Sequence, residues 1–405
     1  MRSPTLALDI GTSSIKALAA EFGSKDWRVL QPGQCQSRGV KHGIIVDSKG
    51  AAEQVDSLIE KMEGVLNNVV FKSAITGIAG PHLEMRSSKG TAIVSRPDEE
   101  ITPDDKERAN KAAAALAPQR NRTLVQSVIK NYIIDGTTMV QDPLGMKGLR
   151  LEVEALLVDA FNPALRKIDH LGEMIGLDLN PRFVLPLAEA EVAITAQDRD
   201  LGAVMIDLGA GTTSMCIYEN NELLDLKVFP VGGTNITNDI AVGLQTYVDI
   251  AEKIKINEGV ATAKKISRGE TIDLTQYWEE TEAGEERRVS KKLLAEIIEA
   301  RLDETFNLVA QRLKDIDRFG KLPGGIILSG GGAKMALITD LARNKFKLPV
   351  RIVHPQLDWY QDNPDPSYVA LLGLLQVAYT DYWEGGNGSD FWIRLTNFFK
   401  GKFSF

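Results

Sequence analysis

Two short runs of the 405-residue chain carry side chains suited to one kind of chemistry. Asp9-Ile10-Gly11-Thr12-Ser13-Ser14, with Lys16 just beyond, places an acid at the end of an apolar run and follows it with small and hydroxylated residues. Asp207-Leu208-Gly209-Ala210-Gly211-Thr212-Thr213-Ser214 repeats the pattern in the second half. Small residues let a turn's backbone approach an anion closely, and its N–H and hydroxyl groups then donate to phosphate oxygens. Lys16 adds a positive charge for a phosphate. Asp9 and Asp207, facing each other across a cleft, suit a magnesium ion held through its waters. A third run, Gly330-Gly331-Gly332-Ala333, follows apolar residues and leaves room for adenosine against bare backbone. Each run alone is an ordinary turn. In this order, with the first duplicated, they read as a nucleotide site. The chain has neither a Gly-x4-Gly-Lys-Ser/Thr loop nor a Gly-x-Gly-x-x-Gly fingerprint, which excludes P-loop and dinucleotide folds.

The elements that must hold these runs also repeat. Residues 5–9, 15–21 and 27–30 read as three strands joined by turns, and 204–207, 215–218 and 223–229 read the same way. Residues 74–80 resemble 326–332. Repetition over half a chain is not a solenoid period. It predicts an internal duplication, two similar α/β domains around a shared cleft. Helical spacing marks 51–66, 103–116 and 290–318. Residues 131–140 and 149–161 read as strands, so 84–162 forms a separate small α/β insert in the first half. Residues 271–288 read as an acidic surface loop and 384–390 as a glycine-rich linker.

Composition narrows the function classes. The net charge of −8 argues against nucleic-acid binding, which needs a basic face. Cys35 and Cys216 lack a CxxC partner and read as reduced thiols. His42, His82, His170 and His354 are scattered without metal-ligand spacing. The longest apolar stretch, 369–378, is about half a membrane span, and residues 1–9 lack a signal layout. An intracellular protein that does not cross the membrane is expected. Residues 391–405 differ from the rest, with Arg394, Lys400 and Lys402, no acid, and five of the thirteen phenylalanines. At about 100° per residue, Phe391, Trp392, Leu395, Phe398, Phe399 and Phe403 share an arc of roughly 140°, with Arg394 and Lys400 outside it. That is the signature of a helix lying on an anionic membrane surface. The competing reading is a terminal helix docked on the protein's own core.

The hairpins and glycine run resemble those of the actin/sugar-kinase/DnaK superfamily, and more narrowly the FtsA family of actin-like bacterial division proteins. The marks are LDIGTSSIKALAAE (8–21), SRGVKHGIIVD (37–47), EEITPDD (99–105), YIIDG (132–136), DPLGMKGLRLEVE (142–154), PVGGTNITNDIAVGL (230–244) and PGGIILSGGGAKM (323–335). The resemblance implies duplicated actin-like (ribonuclease-H-like) domains. The first comprises 1–83 and 163–195 with the insert 84–162, and the second 196–244 and 320–383 with a small subdomain 245–319. The linker 384–390 and the membrane helix 391–405 follow. It assigns Asp9, Gly11, Thr12, Ser13 and Lys16 to the first phosphate motif, and Asp207, Gly209, Gly211, Thr212 and Thr213 to the second. Gly330, Gly331, Gly332 and Ala333 become the adenosine motif. Asn238 and Asp239 would open a helix near the ligand. Glu252 and Lys255 would contact ribose and base, unless they are simply a helix pair.

The implied cofactors are ATP and Mg2+. The implied partners are the FtsZ C-terminal tail, further copies of the chain in a filament, an anionic membrane surface and other division proteins, on the cytoplasmic face at the division site. Lys291, Lys292 and Arg301 would meet the acidic tail, or else form a solvated helix face. A small-molecule kinase and a pilus-assembly relative are the alternatives. The first needs an acid in the cleft as base, and the second usually lacks the terminal helix. Three positions depart from the superfamily pattern: Leu185 replaces a glutamate before Pro-Leu-Ala, Ser214 replaces an acid, and Ala210 replaces a glycine. Two groups that could direct a water are thus lost while the phosphate cradle remains, which predicts tight nucleotide binding and slow or absent turnover.

A helix as short as 391–403 is marginal in water. A peptide of residues 391–405 is expected to be unstructured alone and helical on anionic vesicles by circular dichroism. Trp392→Glu should abolish the change. Arg394→Glu should weaken it in a salt-dependent way. A helix that forms equally on neutral and anionic vesicles would contradict the electrostatic part of this reading.

Overall fold

The computed structural model describes residues 4–23, 26–67, 69–115, 120–277, 288–355 and 364–384. The expected linker beyond Glu384 and the segment 391–405, with Phe391, Trp392, Arg394, Leu395, Phe398, Phe399 and Lys400, lie outside them.

The duplication is present in the sheets. In the first half, Trp27–Gln36, Ser14–Phe22 and Thr5–Ile10 pair antiparallel in that order, and Ile75–Ile78 and Arg182–Val184 extend the sheet in parallel. In the second half, Glu222–Phe229, Thr213–Glu219 and Ala203–Leu208 are followed by Gly325–Ser329 and Val350–Ile352 in the same order and sense. Each central strand is covered on both faces and reads as an unbroken apolar run rather than an alternating one. The expected third strand at 27–30 continues to Gln36 through Pro32 and Gly33. It is the edge of its sheet, where a missing N–H is tolerated.

The insert is a four-stranded antiparallel sheet carrying the helix Pro103–Ala114. Thr102 and Asp105 cap that helix reciprocally, and Pro103 occupies its first turn, where no N–H is needed. The run 131–140 is not one strand. Arg122–Ile134 ends at Asp135 and Gly136, both with positive φ, and returns as Thr138–Val140. Within 271–288, Thr271–Asp273 pairs with Arg288–Ser290, so the ends of the expected loop form a short ladder. The long helix Lys291–Asp315 is capped by Ser290 and buries Leu294, Ile298, Leu302, Phe306 and Val309 along one stripe.

Two helices join the halves. Leu185–Ala193 and Val369–Glu384 lie in one apolar core with residues of both large sheets, among them Ala7 and Leu18 from the first and Met205 and Cys216 from the second. The apolar stretch at 369–378 is therefore core. Leu371, Leu372, Leu374 and Leu375 are fully buried, each worth about 1.5–3 kcal/mol. No helix among the described residues is long and apolar enough to cross a membrane. The two helices nearly touch at Gly373, where an added Cβ would sit 2.2 Å from the Ala188 carbonyl oxygen. Gly373→Val is expected to lower the urea midpoint by the equivalent of about 1–3 kcal/mol or more, since the obstacle is backbone that cannot rotate away. An unchanged midpoint would show that the helices can separate freely.

Candidate nucleotide site

A cavity of about 520 Å³ opens between the two halves. Its walls include Asp9, Gly11, Thr12, Ser13 and Lys16 from the first hairpin, and Asp207, Gly209, Gly211, Thr212 and Thr213 from the second. Gly330, Gly331, Gly332, Glu252 and Lys255 of the expected set also line it. Equivalent registers explain the convergence. Asp9 sits opposite Lys16 in one hairpin, and Asp207 opposite Ser214 in the other. The two turns meet across the cleft: an added Cβ on Gly211 would come within 2.4 Å of the Thr12 hydroxyl. Thr12 also accepts from the Gly43 N–H at 3.1 Å, and a His42 ring nitrogen lies 2.7 Å from the Gly211 carbonyl oxygen. Gly330 has a φ of 78°, and a Cβ there would fall 2.0 Å from an Asp207 carboxylate oxygen, so side-chain-free backbone is required.

Lys255 anchors the far side of the cleft. Its ammonium donates to Glu252 at 2.6 Å, to Thr237 at 2.8 Å and to the Gly233 carbonyl at 3.1 Å. Glu252 and Lys255 pair with each other and also line the cavity. Ala333 is packed beneath the glycine run and does not reach the cavity. Asn238 is exposed and does not open its helix. That helix starts at Gly233, five residues earlier, and presents Gly232, Gly233 and Ile236 to the cleft. Asp239 grips Arg301 at 2.6 and 2.9 Å. Arg301 also donates to Glu304, while Lys291 and Lys292 lie near Glu258 and Glu296.

One acid at the site escaped the sequence reading. Glu189 is 1% exposed and lines the cavity. Leu185, the residue that replaces the superfamily's glutamate, also lines it, one helical turn earlier on the same face. The cleft thus keeps a carboxylate on that helix from a different position. A glutamate within a mostly apolar helix, four residues after Leu185 and so on its face, was the available signal.

The electrostatics are those of crowded acids. Burial pushes the Asp207 carboxyl up to about 7, with the neighbouring Asp9 charge adding to it and Lys16 opposing. Asp9 is raised by burial and lowered by Lys16. Glu189 is raised by burial and then by Asp207 and Asp9. Around them, Glu189 Oε2 and the hydroxyls of Ser214 and Ser329 are buried without hydrogen-bond partners. Acids in excess of cations, orphaned polar atoms and bare glycine backbone fit a magnesium-bearing polyphosphate. Among the described residues, no three acidic, histidine or cysteine side chains converge to ligate a metal directly, so a cation here would keep waters between itself and the protein.

A family model described as "Cell division protein FtsA" matches residues 204–373, and one described as "SHS2 domain inserted in FTSA" matches 80–159. The chain is 34% identical to the Cell division protein FtsA of Pseudomonas aeruginosa over 86% of its own length and 82% of that protein. It is 30% identical to that of Bacillus subtilis over 92% and 83%. The chain belongs to the FtsA family of cell division proteins. Among solved structures it resembles a "PilM-PilN type IV pilus biogenesis complex" chain, with a TM-score of 0.62, 16% identity and 92% and 97% coverage. It also resembles "MreB 5 of Spiroplasma citri bound to AMPPNP", with a TM-score of 0.56, 14% identity and 96% and 99% coverage. At such identities these likenesses establish the actin-like fold. The FtsA insert corresponds to the four-stranded sheet and its helix.

His82, on the cavity wall, has both ring nitrogens buried without partners. Burial, then the Arg122 charge, pulls it from 6.5 down to about 4. The folded protein therefore favours the neutral ring. This contribution is complete above pH 6.5 and is lost as pH falls towards 4. Relative to His82→Leu, the wild type should lose up to about 3 kcal/mol between these limits in urea titrations at a series of pH values. A difference that does not vary with pH would show that His82 is not held neutral.

Proposed function

We propose that the chain binds ATP with Mg2+ between its two halves, lies on the cytoplasmic membrane surface through residues 391–405, carries FtsZ there, and assembles with its own copies at the division site. The observation that carries the nucleotide part is the convergence of two like hairpins and a glycine run on one cavity. The two turns would hold the phosphates from either side. Lys16 would neutralise one of them, and the Gly330–332 backbone would support the nucleoside. Asp9 and Asp207 would hold the cation through its waters, and the cation when bound supplies counter-charge to the phosphates. The MreB neighbour, a structure bound to AMPPNP, shares the fold and supports a triphosphate analogue as the ligand class.

Family membership supports a role in division. The basic aromatic composition of 391–405 supports membrane attachment. Three cations near an anionic leaflet contribute at most roughly 3 kcal/mol, so attachment is reversible, and copies joined in a filament hold by avidity. Lys291, Lys292 and Arg301 are the cations proposed for the FtsZ tail, in exchange for their present acidic neighbours. Leu185 places apolar surface where the superfamily has an acid, which favours nucleotide retention over rapid turnover.

Asp207→Ala should abolish or greatly weaken Mg-ATP binding by titration calorimetry, because the cation loses its organiser. Unchanged affinity would remove the assignment. Wild-type hydrolysis should stay well below about 1 s⁻¹, the low end for ordinary enzymes. A rate at that level would contradict the slow-turnover reading. Deleting 389–405 should leave nucleotide binding intact and release the protein, with any bound FtsZ, from anionic liposomes. Co-sedimentation of the truncated chain at physiological salt would show that the anchor lies elsewhere.

A further inference from the structure

We propose that Glu189 belongs to the cation end of the cleft and sets how strongly the site prefers magnesium-bound over metal-free nucleotide; this rests on the nucleotide reading above. Glu189 is 1% exposed, faces the cavity, and has one carboxylate oxygen, Oε2, fully buried without a partner. A carboxylate kept inside a protein is normally paired or hydrogen-bonded. Its electrostatic neighbours are Asp207, Asp9 and Lys16, with the Ser329 hydroxyl beside it. Ser329 is itself in register with Asp207 on the adjoining parallel strand. The floor of the cleft thus gathers three carboxylates around the ammonium of Lys16, which already sits opposite Asp9.

Glu189 cannot escape this environment by a shift of its helix. Gly373 of the neighbouring helix presses on the adjacent Ala188, and an added Cβ there would sit 2.2 Å from Ala188 O and 2.7 Å from the Glu189 nitrogen. On the cleft side, Leu185 packs over Gly77, where a Cβ would meet its side chain at 2.3 Å. The carboxylate is held in place beside the two aspartates, with Oε2 unpartnered. A group that donates hydrogen bonds and brings positive charge would complete it. The waters around a magnesium ion do both, and they suit a floor whose acids do not converge for direct ligation. Glu189 then acts as an outer-layer acceptor that favours the hydrated cation and repels a triphosphate arriving without one. Outer-layer partners of this kind change metal affinity by about 10–100-fold.

The test uses the full chain and two calorimetric titrations, ATP with saturating Mg2+ and ATP with excess EDTA. In Glu189→Gln, the ratio of the two affinities should fall by about 10-fold or more. The Mg2+ concentration giving half-maximal ATP binding should rise accordingly. A purely structural role would move both affinities together. An unchanged ratio in a chain that binds ATP overturns the inference and leaves the nucleotide reading standing. Glu189→Met, apolar and of similar length, supplies the same comparison should the glutamine variant fail to fold. Wild-type protein that binds ATP in neither condition overturns the nucleotide reading and this inference with it.

Discussion

Everything in this molecule is built around the contact of two helices at Gly373 and Ala188. Each large sheet needs cover on its inner face, and the same pair, Leu185–Ala193 and Val369–Glu384, covers both. Sharing a core in this way saves apolar surface from water but leaves little volume between the sheets. Backbones can approach so closely only where a side chain is missing. One glycine therefore fixes the spacing of the halves, and with it the width of the cleft at their common edge.

That spacing decides the electrostatics of the site. The two hairpins bring their aspartates to the same floor because the duplicated registers are alike, yet the residues opposite them differ: Lys16 faces Asp9, while Ser214 faces Asp207. Of the two hairpins, only the first supplies an ammonium. The Asp207 carboxyl is elevated first by burial and then by the neighbouring Asp9 charge, with Lys16 opposing from the other hairpin. Likeness of fold combined with unlike cross-strand partners thus gives the two hairpins different charge surroundings.

The parts of the structure that were readable in the sequence depend on local chemistry. Asp-Gly turns, apolar strand runs and the heptad-like spacing in 291–315 each announce themselves over a few residues, and the repeat of one unit made the duplication visible. The parts that were missed depend on tertiary surroundings. Pro32 reads as a strand breaker until the strand proves to be a sheet edge. Asn238 looks like a helix opener until the capping residues place the start at Gly233. Ala333 looked like part of a binding surface and is buried beneath it. Glu189 was hidden because its helix is buried over most of its surface, so periodicity could not indicate which residue faces the cleft. Residues 384–390 and 391–405, read as a linker and a membrane helix, rest on sequence, since all but Glu384 lie outside the described residues.

The helix Val369–Glu384 also determines how the molecule carries mechanical load. It leaves the chain's interior toward its C-terminal end, so tension applied beyond Glu384 enters along the axis of the central helix rather than at the rim of one lobe. Peeling is replaced by shear, in which many buried contacts must slip together. The opposite end of that helix joins the turn Pro366–Tyr368. Its Pro366 carbonyl accepts from the Gly330 N–H at 3.1 Å, and its Tyr368 ring lies 5.7 Å from the Lys16 ammonium. A pull applied beyond Glu384 is thus passed along this helix toward Lys16 and Gly330 on the cavity wall.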